Sequence, residues 1–307
     1  MQLTDEILKE RKTGIGGSDC AAVLGYSKWS TPLDIYLSKI DPESLPVEQT
    51  DAMRDGHDIE PIVIKRYEET TNCEIDQPNK IFRSEKYPWL IANVDGLVKG
   101  KDIILEAKST KFFNNDEWGD ENTDNIPDQY LFQLAHYCLV LNKPQADLAA
   151  WSFGQPLRIY KYTRDKGLEE QIIDLTHDFW KNHVEKLIPP LPVNDIDLLK
   201  LYKTADETKT LIADDELYSI IVKYADICNS TKNLELNKEN LKNKIKMYMA
   251  NNAYITGANG ERLVSWKNQT ANRFNIKAFK EKYPLLYKQF ETVSQTRALR
   301  LHVKEIS

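Results

Sequence analysis

The chain has 307 residues, 41% of them hydrophobic, and a formal net charge of -6 at pH 7. That is enough for one large or two modest domains with a sizeable core. No window approaches the ~18 uninterrupted apolar residues of a membrane helix, and the opening MQLTDEILKE lacks the apolar centre of a signal peptide, so a cytoplasmic protein with no membrane contact is expected.

The cysteines at 20, 73, 138 and 228 are scattered without CxxC spacing. That fits a reducing compartment and argues against a zinc or iron–sulfur site; each reads as a small buried hydrophobe. Charge is unevenly spread: Asn229 to Ser307 carries 15 Lys and Arg against 6 Asp and Glu, while the preceding 228 residues carry 26 against 41. A basic end on an acidic body fits either a tail that touches phosphates or a pattern that serves subunit contacts.

Residues 3–12 predict a short amphipathic helix running into Arg11-Lys12-Thr13-Gly14-Ile15-Gly16-Gly17-Ser18-Asp19. The glycines, then Ser-Asp, then the apolar run CAAVLG predict a loop opening onto a helix with Ser18 as N-cap. Such a helix start attracts anions, and Arg11 and Lys28 could add charge to the same phosphate. A capped helix with a flexible lead-in accounts for the same residues. Trp29, Pro32, Ile35, Tyr36 and Leu37 read as core, with Thr31-Pro32 starting a second helix. After the polar loop DPESLPVEQT, Ala52 to Thr70 has helical spacing, and Pro61 requires a first turn or a kink before it. Glu60 sits there among apolar neighbours, either as a carboxylate aimed at a metal or as a solvated partner of Lys65 or Arg66.

The stretch Tyr87 to Thr110, YPWLIANVDGLVKGKDIILEAKST, carries the densest chemistry. Two apolar strands flank a tight turn at Lys99-Gly100-Lys101, so a hairpin brings Asp95 beside Glu106. Strand alternation puts Ile104, Glu106 and Lys108 on one face and Ile103, Leu105 and Ala107 on the other. Two carboxylates suit a hard divalent cation such as Mg²⁺. A lysine beside them suits orienting an attacking water or offsetting charge on a phosphorane. A surface salt bridge on an edge strand accounts for the same spacing.

The segment KFFNNDEWGDENTDNIP reads as a long mobile loop of the functional kind. From Pro127, PDQYLFQLAHYCLVLN predicts a helix with Tyr130, Gln133, Leu134 and Tyr137 along one face. There Gln133 and Tyr137 either hydrogen-bond across the site or complete a packed helix. Ala146 to Phe153 and Leu157 to Tyr162 predict a strand pair, and Glu169 to Ile188 a helix ended by Pro189-Pro190-Leu191-Pro192. Helix, strands, helix, strands, helix around one mixed sheet make an α/β core over 1–190, followed by a linker over 191–213. The accessory region 214–307 reads as a long amphipathic helix from Asp214 to Asn251, then a hairpin turning at Asn259-Gly260. A short helix from Asn275 to Tyr283 stopped by Pro284 and a terminal strand from Ala298 to Val303 complete it.

Five motifs then stand in order: RKTGIGGSD (Arg11 to Asp19), Gly56-His57-Asp58-Ile59-Glu60-Pro61, Asn93-Val94-Asp95-Gly96, Glu106-Ala107-Lys108 and Tyr130-Leu131-Phe132-Gln133. Together they resemble the phage lambda-type exonucleases, closest to the YqaJ-like viral recombinase branch of the PD-(D/E)XK nuclease superfamily, over roughly residues 8–190. The resemblance implies a central mixed β-sheet flanked by helices. It implies that Arg11 and Ser18, helped by Lys28, grip a 5′-terminal phosphate. By the same resemblance Asp95, Glu106 and the Ala107 carbonyl bind Mg²⁺, with Mn²⁺ substituting and Glu60 helping at a second ion. Lys108, assisted by Gln133, positions the water.

The implied activity is 5′ to 3′ degradation of one strand of linear double-stranded DNA from 5′-phosphorylated ends, in homologous recombination beside a single-strand annealing protein. A ring-shaped homotrimer and, for a phage- or prophage-encoded chain, the bacterial host cytoplasm are implied as well. One departure is Val94-Asp95 in place of Pro-Asp; the aspartate that carries the chemistry is kept. The rival readings are a structure-specific or restriction-type endonuclease on the same fold, and a non-catalytic module that binds DNA ends or a recombinase. The scattered cysteines disfavour a Cas4-like iron–sulfur nuclease.

Overall fold

The computed structural model describes residues 5–40, 50–114, 116–292 and 296–302. It divides into two compact units, Met1–Leu201 and Tyr202–Ser307. Most of the polar loop expected over 41–50, and residues 3–4 of the first expected helix, lie outside the described residues.

The first unit opens with α1 (Asp5–Arg11), α2 (Gly17–Val23), α3 (Pro32–Ile40) and α4 (Asp51–Thr71). The strands β1 (Ile75–Asp76), β2 (Phe82–Arg83), β3 (Ile91–Ala92), β4 (Gly96–Val98) and β5 (Ile103–Ser109) follow. After α5 (Asp128–Leu141) come β6 (Gln145–Trp151), β7 (Arg158–Thr163) and α6 (Lys166–Phe179), which runs on as a π-helical turn over Trp180–Val184. The helix α7 (Asp195–Leu201) ends the unit.

Five strands form one mixed sheet in the order β1-β4-β5-β6-β7. The pairing of β5 with β6 is parallel; its neighbours pair antiparallel. The reading of all strands in one sheet is corrected in one respect, because β2 and β3 pair separately. There Ile15 bridges to Leu90, and its amide and carbonyl are taken up by Trp89 and Ile91 at 2.7 and 2.9 Å. The glycine-rich loop thus occupies an edge that a sheet neighbour would need.

Each face of the central sheet carries its own apolar layer. Ile104, Ala146, Leu148, Tyr160 and Tyr162 pack with residues of α2, α5 and α6, while Val98, Leu105, Ala107, Ala149 and Trp151 pack on Val63, Ile64 and Tyr67 of α4. A strand covered on both faces reads as an almost continuous apolar run, and β5 departs from that at Glu106, Lys108 and its terminal Ser109. α4 continues through Pro61, whose residue is exposed.

Three expectations are overturned here. Trp29, read as core, is 79% exposed. The segment read as a mobile loop is anchored by the buried Trp118, whose ring meets Phe113, Tyr130 and Tyr160 at centroid distances of 5.3, 5.8 and 5.3 Å. Residues 191–201, read as linker, belong to the first unit. The buried Asp197 carboxylate accepts from Thr31 Oγ1 at 2.9 Å and from the Val193 amide at 3.2 Å, and Lys200 pairs with Asp34.

The second unit contains α8 (Asp215–Met249), the hairpin β8 (Tyr254–Thr256) and β9 (Arg262–Ser265), α9 (Ile276–Lys282) and α10 (Pro284–Gln289). Asp214 caps α8 by accepting from the Leu217 amide at 2.8 Å. Pro284 begins a helix, as its preset φ and missing donor suit a first helical position. Residues 298–302 form no strand, which corrects the expected terminal strand; Val303 lies outside the described residues. Cys20 and Cys138 are buried as expected, whereas Cys73 and Cys228 are partly exposed. Among the described residues no helix is long and apolar enough to cross a membrane.

Candidate active site

The β4–β5 hairpin is built as the sequence alternation requires. Gly100 takes a positive φ of 73° at the turn, and Gly96 pairs with Leu105, which leaves Asp95 beside Glu106. β4 gives β5 no partner beyond Leu105, so the Ala107 amide is free to donate to Asp95 Oδ2 at 2.8 Å. The amide and carbonyl of one strand residue point to the same side, so the Ala107 carbonyl faces that open edge too.

Glu106 is 2% exposed. Its Oε1 accepts from Gln133 Nε2 of α5 at 2.7 Å and lies 2.6 Å from Lys108 Nζ. Gln133 Nε2 also reaches the Tyr137 hydroxyl at 2.8 Å, and that hydroxyl donates to the Asn93 carbonyl at 3.0 Å. Lys108 Nζ lies 5.7 Å from the centre of the Tyr130 ring. Burial and the neighbouring Asp95 push the Glu106 carboxyl up to about 8. Burial works against a charged Lys108, but Glu106 and Asp95 outweigh it and hold the ammonium protonated. Glu60 on α4 is half-buried, and its pKa is raised by burial and by Asp95; His57 Nδ1 stands 3.9 Å from its Oε2.

The same cavity, of about 530 Å³, is lined by Arg11, Ser18, Trp29, Glu60, Asp95, Glu106, Ala107, Lys108 and Gln133. Of the expected site residues only Lys28 stands apart: it pairs with Glu117 and does not line the cavity. The N-cap of α2 is Gly16, not Ser18, because Asp19 accepts the Gly16 amide at 3.0 Å. Ser18 is thereby left exposed in the first turn. Asp19 itself is held by Lys39 at 2.7 Å in a nearly buried pair. Burial alone would raise its pKa, but Lys39 and Arg11 hold the carboxyl below its usual range. Gly17 permits α2 to lie against α5, since a Cβ there would come within 2.5 Å of the Tyr137 ring and 3.0 Å of Gln133. Asp19 and Asn93 also line the cavity; both stand inside the sequence motifs, but their partners, Lys39 and Tyr137, are set by packing.

The donor chemistry fits a hard cation. Asn93 Oδ1, Glu106 Oε2 and Gln129 Oε1 are buried oxygens without a hydrogen-bond partner, and all three residues line this cavity. Among the described residues no three His, Cys, Asp or Glu side chains cluster as a metal site; Glu60 lines the same cavity and interacts with Asp95. Asp95, Glu106 and the Ala107 carbonyl suffice for Mg²⁺, which takes one or two carboxylates and keeps several waters.

A family model for the YqaJ-like viral recombinase domain matches residues 6–144. The Bacillus subtilis (strain 168) protein YqaJ is 30% identical over 311 residues, covering 99% of this chain and 95% of its own length. Among solved structures, the alkaline exonuclease LHK-Exo from Laribacter hongkongensis aligns with a TM-score of 0.49 and 18% identity, over 60% of this chain and 94% of that one. A phage-related exonuclease from Haemophilus somnus 129PT aligns with a TM-score of 0.42 and 12% identity, over 57% and 96%. The five motifs lie at or around one cavity, and the likeness to YqaJ runs nearly end to end: the chain belongs to the YqaJ-like viral recombinase family.

Proposed function

We propose that this chain is a Mg²⁺-dependent nuclease that removes nucleotides 5′ to 3′ from one strand of linear duplex DNA carrying 5′-phosphorylated ends. The observation that carries the reading is the Asp95–Glu106 pair, with Lys108 beside it and an unpartnered Glu106 oxygen, in a cavity that extends to Arg11 and Ser18. A divalent cation held by Asp95, Glu106 and the Ala107 carbonyl supplies Lewis-acid charge to a phosphodiester and acidifies a water; Mn²⁺ substitutes.

The chain's own residues do the positioning. Lys108 is held protonated, so it donates to the water or to the developing phosphorane charge and does not take a proton. Gln133 locks the Glu106 carboxylate, and Tyr137 in turn locks Gln133. Glu60, close enough to Asp95 for the two to interact, adds a third carboxyl to the cavity and helps at a second ion. Arg11 and Ser18 receive the 5′-phosphate and set the register; phosphate contacts position without reading sequence, so no base preference is expected. The family resemblance supports a ring-shaped homotrimer and a single-strand annealing recombinase as partner.

The test is Mg²⁺-dependent degradation of linear duplex with one 5′-phosphorylated end, against closed circular and single-stranded controls, with wild type beside Glu106→Ala. Loss of the linear duplex alone, from the phosphorylated end and dependent on Glu106, is the expected result. Cutting of the closed circle would assign an endonuclease, and intact substrate throughout would assign a DNA-end or recombinase-binding module.

A further inference from the structure

We propose that the β8–β9 hairpin of the second unit is a binding platform for single-stranded DNA, with Tyr254 as the stacking ring and Arg262 and Lys267 as the phosphate contacts. Tyr254 pairs with Ser265 across the hairpin, so Lys267, two residues beyond Ser265, falls on the face of Tyr254. In a regular ladder Thr256 would oppose Leu263 and Arg262 would lie beyond the pair. A register shift at Ile255 and Thr256 places Arg262 opposite Thr256 and turns it onto the Tyr254 face, which is what such bulges do. Arg262 and Lys267 then lie over the ring, 4.2 and 4.5 Å from its centre, on the surface a base would take as the two cations move to its phosphates. On the other face Trp266, 46% exposed, has Lys246 of α8 at 5.5 Å.

Neither Arg262, Lys267 nor Lys246 pairs with a carboxylate among the described residues; their close contacts are aromatic. Lys242, by contrast, is paired with Glu239 at 2.8 Å. Residues 246–288 carry eight Lys and Arg against two Glu, so the hairpin lies in a field that favours a polyanion. Exposed rings interleaved with cations are the chemistry of unpaired nucleotides, whose bases stack while the backbone meets positive charge. A duplex keeps its bases stacked inside and offers Tyr254 nothing. The choice of the DNA strand rests on the proposed function, since removing one strand from a duplex leaves the other unpaired.

Binding of a fluorescent dT oligonucleotide of about 16 nucleotides, the upper single-strand site size, is measured on the full chain in EDTA, where no hydrolysis occurs. Tyr254→Ala is expected to weaken binding roughly 5- to 150-fold, the range for loss of one stacked base, and Tyr254→Phe to restore it. Arg262→Ala with Lys267→Ala is expected to reduce the slope of log K against log salt by about 1.4, while cleavage of a short duplex stays unchanged. An abasic strand of equal length is expected to bind more weakly than dT to the wild type; equal binding overturns the stacking role even where Tyr254→Ala fails to fold. Unchanged affinity and salt slope in the variants, or equal binding of duplex through the same residues, also overturn the proposal. Absence of nuclease activity in Mg²⁺ would sink the preceding reading and leave this result standing.

Discussion

Glu106→Gln separates the electrostatic role of this carboxyl from its packing. Gln is nearly isosteric and its oxygen can still accept from Gln133 and Lys108, which now meet at Oε1. Its amide nitrogen would replace the unpartnered Oε2 and offer a donor to Asp95, which lies within hydrogen-bonding reach. In the wild type the folded carboxyl titrates at about 8 against 4.5 for an unperturbed glutamate. The folded state therefore binds the extra proton between those values, and stability is present below 4.5 and is lost as pH rises through 8. At ~1.4 kcal/mol per pH unit the window has an upper bound of about 5 kcal/mol. Asp95 shares the repulsion and Lys108 can shift to relieve it, so about 2 kcal/mol is expected. For a unit of this size that is about 4–8 °C in Tm.

The assay is thermal melting of wild type and Glu106→Gln in EDTA from pH 5 to 9, repeated in Mg²⁺. In EDTA the wild type should lose about 2 kcal/mol more than the variant across that range. Mg²⁺ at 100 times its Kd should add about 2.7 kcal/mol to the wild type and little to the variant. Parallel melting curves in EDTA would show that Glu106 does not carry the raised pKa. An equal Mg²⁺ effect in both proteins would remove the cation from Glu106.

Three further outcomes test the neighbouring groups. Lys108→Ala should abolish cleavage, by two orders of magnitude or more for a lost electrostatic donor, while end binding persists in a gel-shift assay; lost binding would make Lys108 a DNA-affinity residue. Arg11→Ala should erase any preference for 5′-phosphate over 5′-hydroxyl ends in competition kinetics, and a preserved preference would remove Arg11 from the phosphate pocket. Lys39→Ala strands the Asp19 carboxylate in a nearly buried place and should cost about 3–5 kcal/mol by urea denaturation. Adding Asp19→Asn should recover most of it; a loss below 1 kcal/mol in the single variant would show that Asp19 is solvated.

The sequence by itself determined the parts governed by neighbours a few residues apart. Strand period two placed Glu106 and Lys108 on one face of β5, where they meet at 2.6 Å, and the Gly100 turn set Asp95 opposite them. Helical period put Gln133 and Tyr137 on one side of α5, where they bond at 2.8 Å. These are consequences of backbone geometry that any tertiary context inherits. Tertiary structure decided which side chains were spent on packing and pairing.

Lys28, a phosphate helper by motif, is taken by Glu117 from 89 residues away. Trp29, a core residue by its bulk, is turned to the cavity because Ser27 Oγ accepts the amides of Trp29 and Ser30, each at 3.2 Å, and sets the loop. Gly16 takes the N-cap place expected of Ser18, and its amide is accepted by Asp19, which Lys39, 20 residues on, neutralises. Helix α7 joins the first unit through Asp197 and Thr31, 166 residues apart. Apart from the local turn at Trp29, such choices depend on which distant charge or apolar surface arrives nearby, and a linear pattern holds no distance between residues that only the fold brings together.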